Sequence, residues 1–195
     1  VTNLSPNHLD VHKSYQEYIE AKENVFLHQG KGGVTVFNAD NEDSRASARK
    51  APGEVRWFSR QGRVENGVFL EDGVLYQAEG GSVTPILPIS DIALPGMHNV
   101  ENYMAAFAAV RGLVSAETMD AVARNFHGVE HRIERVRVRR GVRWYNDSIA
   151  SSPSRTIAGL RSFPEKVILI AGGKDKGISY DAIGPEINEH VKYLI

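Results

Sequence analysis

The chain has 195 residues, 42% of them hydrophobic, with 23 Lys and Arg against 24 Asp and Glu and no cysteine. That is enough apolar material for one large or two small domains with buried cores, and a net charge of −1 gives no electrostatic reason to expect nucleic acid or an anionic membrane as partner. The absence of cysteine excludes disulfides and thiolate metal sites, and no apolar run nears the roughly 18 residues of a spanning helix, so a cytoplasmic protein without membrane insertion is expected.

Val1-Thr2-Asn3-Leu4 reads as the tail of a strand entering a loop, Ser5 to Asp10, that carries His8 and Asp10. Ligands in open α/β sheets gather at the carboxyl ends of strands, so this loop suits a metal or a phosphate, although a lone loop histidine is by default a surface residue. Ser14 and Glu17 form a capping box, after which Tyr15, Tyr18, Ile19, Val25 and Phe26 recur at three- and four-residue steps of a helix. Lys22 falls on that stripe, seven residues after Tyr15 and three after Ile19, where its side chain should turn into the core. A buried amine must be neutral, paired or modified, and the alternative is a lysine that snorkels to water along its own stem.

Val34 to Phe37 reads as a short strand and Glu42 to Lys50 as a polar helix. Residues 53 to 88 carry short alternating segments, Val55 to Phe58, Val68 to Leu70, Val74 to Tyr76 and Val83 to Leu87, which suggest antiparallel hairpins at the edge of a larger sheet. Leu94-Pro95-Gly96 breaks the pattern, and amphipathic helices follow over Val100 to Leu113 and Ala116 to Asn125. Asn99 and Asn102, three residues apart, share a helix face and carry amides able to meet an adenine edge; the plainer alternative is a cap plus one solvated residue.

Phe126 to Glu130 reads as an interdomain linker. Val136 and Val138 should pair with Val142 and Trp144 across an Arg140-Gly141 turn. The arginines at 132, 135, 137, 139, 140 and 143 lack interleaved aromatics and read as a solvated face rather than a nucleic-acid site, with His131-Arg132 set apart at the hinge. Ser152-Pro153 opens a helix, and Val167 to Ala171 is a continuous apolar run of the kind buried on both faces of a parallel sheet. Asn146-Asp147-Ser148 and Gly172 to Gly177 both follow strands and precede helices, where glycines and lysines suit an anion. Without an initiator methionine, and closing on the strand-like Val191 to Ile195, the chain reads as an internal piece of a longer protein, inactive alone. It holds no Walker-type phosphate loop, so a triphosphate cradle would lie upstream of residue 1.

Taken in order, Thr2 to Asp10, Ala21-Lys22, Leu94 to Asn102, His131-Arg132-Ile133-Glu134, Tyr145-Asn146-Asp147-Ser148 and Gly172 to Lys176 resemble the Mur ligase family. The resemblance implies an α/β fold: residues 1–127 as the rear part of a central ATP-binding domain, and 128–195 as the start of a Rossmann-like C-terminal domain. It implies an amide ligase in which ATP phosphorylates a substrate carboxylate and an amino-acid amine then attacks the acyl phosphate. The most similar branch adds D-glutamate to the UDP-linked muramoyl substrate UDP-N-acetylmuramoyl-L-alanine during peptidoglycan precursor synthesis. By the same resemblance Lys22, carbamylated, holds Mg2+ with His8; Asn99, Asn102, Arg132 and Asp147 contact ATP; and His131, Ser151 and Lys176 lie near D-glutamate. Better-known members carry lysine and then threonine where Ile149 and Ser151 stand, and Ile149 cannot bind a carboxylate. The rival readings are another Mur ligase, a folylpolyglutamate synthase-like ligase, and a non-catalytic nucleotide-binding module.

Overall fold

The computed structural model describes residues 1–5, 12–174 and 179–195. The chain divides into two compact units, Val1–Ile92 with Val100–Arg124, and Ala93–Asn99 with Asn125–Ile195.

The first unit is built on a five-stranded sheet in the order β1 (Val34–Asn38), β2 (Glu54–Ser59), β3 (Gly67–Glu71), β4 (Val74–Glu79), β5 (Ser82–Pro88). The first three strands run parallel, and β3, β4 and β5 form antiparallel hairpins. The segment Val55 to Phe58 is therefore not a hairpin arm: its alternation arises in a parallel strand flanked on both edges. Val1 to Ser5 forms no strand; Asn38 and Asn41 side chains hold it by donating to the Thr2 and Leu4 carbonyls at 3.0 Å each.

Both sheet faces are covered. Phe37 pairs in register with Trp57, and on their face Phe26 of α1 (Tyr15–Leu27) meets Phe37 edge-on at 5.1 Å, with Ala48 of α2 (Glu42–Ala48) in the same cluster. Tyr15 ties α1 to α2 by donating to Asp43 at 2.6 Å. Arg56 is one residue out of step and points to the other face, where it donates to the Ala108 and Arg111 carbonyls at the end of α3 (Met97–Val110). Arg111, itself 3% exposed, donates to the Ala78 carbonyl and to Glu54 at 2.9 Å each, pinning that helix end to β4 and β2. Adjacent residues Val68 and Phe69 are both fully buried, as a strand covered on both faces requires. Helix α4 (Ala116–Asn125) buries Met119 and Ala123, and an ion pair from Arg124 to Asp91 at 2.6 Å fixes its end.

The second unit has a hairpin, β6 (Glu134–Arg139) with β7 (Val142–Asn146), turning through Arg140 and Gly141, both at positive φ. A parallel pair, β8 (Val167–Leu169) and β9 (Val191–Leu194), is joined through α6 (Ile183–His190). Helix α5 (Pro153–Leu160) begins at Ser152 in extended backbone with Pro153 at its first position, but the Ser152 hydroxyl makes no capping bond. Arg161 Nε donates to Glu186 at 2.9 Å, linking the end of α5 to α6. The expectation that Val167 to Ala171 is buried on both faces fails: Ile168 and Ile170 are 57% and 66% exposed, because the described residues leave their face of β8 uncovered. Parallel strand pairs in both units, with helices between strands, make this an α/β protein.

Candidate active site

On α1 the charged residue inside the core is Glu23, not Lys22. Glu23 is 3% exposed and accepts from the Ser47 hydroxyl at 2.8 Å and from Lys50 Nζ at 2.9 and 2.7 Å. The buried line of α1 runs Ile19, Glu23, Phe26, so the turn that carries Lys22 spends its core side on Glu23. Lys22 is exposed and lies with Nζ 5.3 Å from the Tyr18 ring centroid, and Val25 is 71% exposed. The inward-turned amine is thus corrected: the Lys22 side chain lies over the Tyr18 ring at the surface. The capping box is also rearranged: Ser14 Oγ accepts the Glu17 N–H at 3.1 Å, while the Glu17 carboxylate takes the Lys13 N–H at 3.1 Å.

The carboxyl ends of β1 and β2 are joined by Asp40, which accepts from the Ser59 hydroxyl at 2.6 Å and the Arg60 N–H at 2.8 Å. Arg60 pairs with Glu101 on α3 at 2.7 Å. Burial pushes the Glu101 carboxyl up, Arg60 pulls it back down and Asp40 adds to the rise.

The second unit holds the denser constellation. Helix α3 begins there: Met97 to Asn99 belong to this unit and the rest of the helix to the first. Gly96, at φ +99°, is obligatory, since a Cβ would stand 2.4 Å from Ser162 Oγ and 2.8 Å from the His98 ring. Ser162 Oγ lies 3.5 Å from His98 Nδ1. Burial and then the Arg132 charge push the His98 imidazole down, with Asp147 opposing. Asp147, at the end of β7, is pushed up by burial; the Ile133 N–H, Arg132, His98 and Arg155 oppose that rise. Its other side is closed by α5, where a Cβ on Gly159 would sit 2.8 Å from Asp147 Oδ2.

Arg132 stands between two residues in the left-handed region, His131 at φ +66° and Ile133 at φ +46°. A β-branched residue there stores on the order of 1–3 kcal/mol of strain, and such strain gathers where side chains must be held for function. Three bonds hold it: the His131 N–H donates to Glu134 Oε2 at 2.8 Å, the Ile133 N–H donates to Asp147 Oδ1 at 3.1 Å, and the Ile149 N–H donates to the His131 carbonyl at 3.3 Å. The arrangement offers an exposed guanidinium, suited to binding an oxyanion, beside a half-buried carboxylate and a tethered imidazole.

Of the expected site residues, the structure brings Arg132 and Asp147 together, with His131 one residue away, and adds His98 to them. Asn99 is 7% exposed and its Nδ2 donates to the Pro95 carbonyl at 2.7 Å, whereas Asn102 is exposed and falls in the first unit. Ser151 is exposed, its N–H on the Ile149 carbonyl at 2.8 Å. His8 and Lys176 lie outside the described residues, and among the described residues no three His, Asp or Glu side chains converge on a metal position. The arginines of β6 and β7 are exposed, as a solvated face should be. Sequence reasoning carried Glu134 and Asn146 only as members of the His131 to Glu134 and Tyr145 to Ser148 motifs, and it missed Gly159 and Ser162.

Comparison with known proteins gives the family of the chain. The Mur ligase middle domain matches residues 1–110. Over all 195 residues the chain is 55% identical to the UDP-N-acetylmuramoylalanine--D-glutamate ligase of Acetivibrio thermocellus and 52% identical to that of Ruminiclostridium cellulolyticum, spanning 42% of the length of each. Among solved structures, the UDP-N-acetylmuramoylalanyl-D-glutamyl-2,6-diaminopimelate--D-alanyl-D-alanyl ligase of Acinetobacter baumannii superposes with a TM-score of 0.74 over 99% of this chain and 44% of its own, at 15% identity, which shows the shared fold. The chain belongs to the Mur ligase family, with a Mur ligase middle domain at residues 1–110.

Proposed function

We propose that this chain is part of an ATP-dependent ligase that joins D-glutamate to UDP-N-acetylmuramoyl-L-alanine in peptidoglycan precursor synthesis. The observation that carries the reading is the 55% identity along the entire chain with a relative named for that reaction. In this reaction the γ-phosphoryl group of ATP passes to the alanyl carboxylate and ADP leaves; the D-glutamate amine then attacks the acyl carbon and phosphate leaves.

Asn99, Asn102, Arg132 and Asp147 serve the nucleotide in this proposal. Arg132 is supported by its exposed guanidinium, held between two positive-φ residues, which suits a phosphate oxygen. His131, Ser151 and Lys176 serve D-glutamate, and Lys22, as a carbamate, holds Mg2+ with His8. Lys22 is exposed, which leaves its amine within reach of carbon dioxide, and it has no carboxylate partner among the described residues. A magnesium ion there would neutralise charge on the transferring phosphoryl oxygens. Residues 1–127 belong to the ATP-binding domain and 128–195 to the C-terminal domain in this scheme, and the enzyme works in the cytoplasm; no helix of the described residues is long and apolar enough to cross a membrane.

The test is phosphate release by the full-length ligase. ATP should yield ADP and phosphate only when both UDP-N-acetylmuramoyl-L-alanine and D-glutamate are present. Release of AMP, or equal use of meso-diaminopimelate or L-lysine, overturns the assignment.

A further inference from the structure

Asn146 touches His131 in a way that fixes which ring nitrogen carries the proton. Asn146 Nδ2 lies 2.8 Å from His131 Nδ1. The amide orientation is set twice over: the Ser148 N–H donates to Asn146 Oδ1 at 3.1 Å, and Nδ2 faces Glu134 Oε2 at 3.4 Å. An amide NH2 can only donate, so His131 Nδ1 must accept and the ring hydrogen must sit on Nε2. Glu134 completes the arrangement from the backbone side by accepting the His131 N–H at 2.8 Å, which holds the residue at φ +66°. No described residue takes the Nε2 hydrogen, and His131 is exposed.

We propose that Asn146 and Glu134 are positioning residues that lock His131 as its Nε2–H tautomer, so that the imidazole presents one outward N–H donor to a carboxylate oxygen of the incoming amino acid. This rests on the reading of the chain as a D-glutamate ligase. The lock explains why the hairpin's last residue, Asn146, and its first, Glu134, converge on one histidine: both are paired across the ladder, in register with each other. An unrestrained histidine samples both tautomers and offers the ligand an acceptor part of the time. The strained backbone and the amide remove that freedom before the ligand arrives.

The experiment uses the full-length ligase with 15N-labelled histidine, the His131 signals being assigned by their loss in His131→Gln. The wild type should show the Nε2–H pattern of ring nitrogen shifts. Asn146→Asp puts an acceptor where the donor was and should move the hydrogen to Nδ1, while the D-glutamate KM rises about tenfold and the ATP KM stays within about twofold, the mark of one lost charge-assisted hydrogen bond. Glu134→Gln, which keeps the shape, should shift both readouts the same way by less, and it stands in if Asn146→Asp fails to fold. An Nδ1–H pattern in the wild type overturns the proposal, as does an altered tautomer without a change in D-glutamate KM. A wild-type enzyme that shows the Nε2–H pattern but turns over no D-glutamate fails the ligase reading and leaves the tautomer lock standing.

Discussion

Asp147 Oδ1 accepts the N–H of Ile133 at 3.1 Å, and Ile133 sits buried at φ +46°, so a carboxylate from the end of β7 holds down a strained turn beside Arg132. Burial pushes that carboxyl up, which makes its ionised form the costly one in the folded chain. A carboxyl raised on folding contributes stability below its unfolded value and loses it as pH rises through the folded value. At neutral pH, Asp147→Asn keeps an acceptor for Ile133 and removes the charge, so urea unfolding should show unchanged or greater stability. Asp147→Ala orphans the Ile133 N–H and should cost about 1–3 kcal/mol. In the full-length ligase both should lose ATP turnover. Equal destabilisation by Asn and Ala would show that the charge itself holds the turn.

His98 carries the opposite sign. Burial and the Arg132 charge depress its imidazole from the ordinary 6.5, and a histidine depressed on folding stabilises above its unfolded value and loses that stability as pH falls through the folded one. Unfolding midpoints should therefore drop on acidification from about pH 7.5 to about pH 5, and His98→Gln should flatten the drop. A slope unaffected by the substitution would assign the acid sensitivity to other groups.

The Glu23 carboxylate is buried, but Lys50 is half-exposed, with side-chain exposures of 4% and 49%. Removing the lysine strands the carboxylate in the core; removing the carboxylate frees a lysine to reach water. Lys50→Met should thus cost about 1–3 kcal/mol of stability by chemical unfolding, more than Glu23→Gln, which still accepts from Ser47. A reversed order would mean that Ser47 alone satisfies Glu23.

Much of this was legible in the sequence because periodicity and turn chemistry are local. The α1 cap at Ser14, the Arg140-Gly141 hairpin and the Ser152-Pro153 helix start each depend on neighbours within a few residues. What failed depends on distant partners. The alternation of Val55 to Phe58 reads the same in parallel or antiparallel pairing, and only β1 and β3 decide it. Lys22 and Glu23 adjoin on one helix, and which of them enters the core is settled by Ser47 and Lys50, 24 and 27 residues beyond Glu23. At the candidate site Arg132 and Asp147 were visible as motif residues, whereas the strain at Ile133 and the bond from Asn146 to His131 belong to tertiary geometry that no spacing encodes.

Lys22 remains the sharpest test of the ligase reading, because its exposed amine has no need of modification for the sake of folding. If its role is to carry a carbamate, the carboxylate is required by chemistry and not by burial. Lys22→Ala in the full-length ligase should leave the fold intact, since it removes only a contact with the Tyr18 ring worth about 0.5–1 kcal/mol. Turnover should nevertheless fall at least about a hundredfold, the scale expected when a metal-binding carboxylate is lost. Acetate should restore part of the activity in the variant and none in the native enzyme, while bicarbonate should help only the native enzyme after carbon dioxide is stripped away. Should Lys22→Ala retain most of its turnover, or the native enzyme run normally in carbon-dioxide-free buffer, Lys22 is an exposed lysine resting on Tyr18 and carries no carbamate.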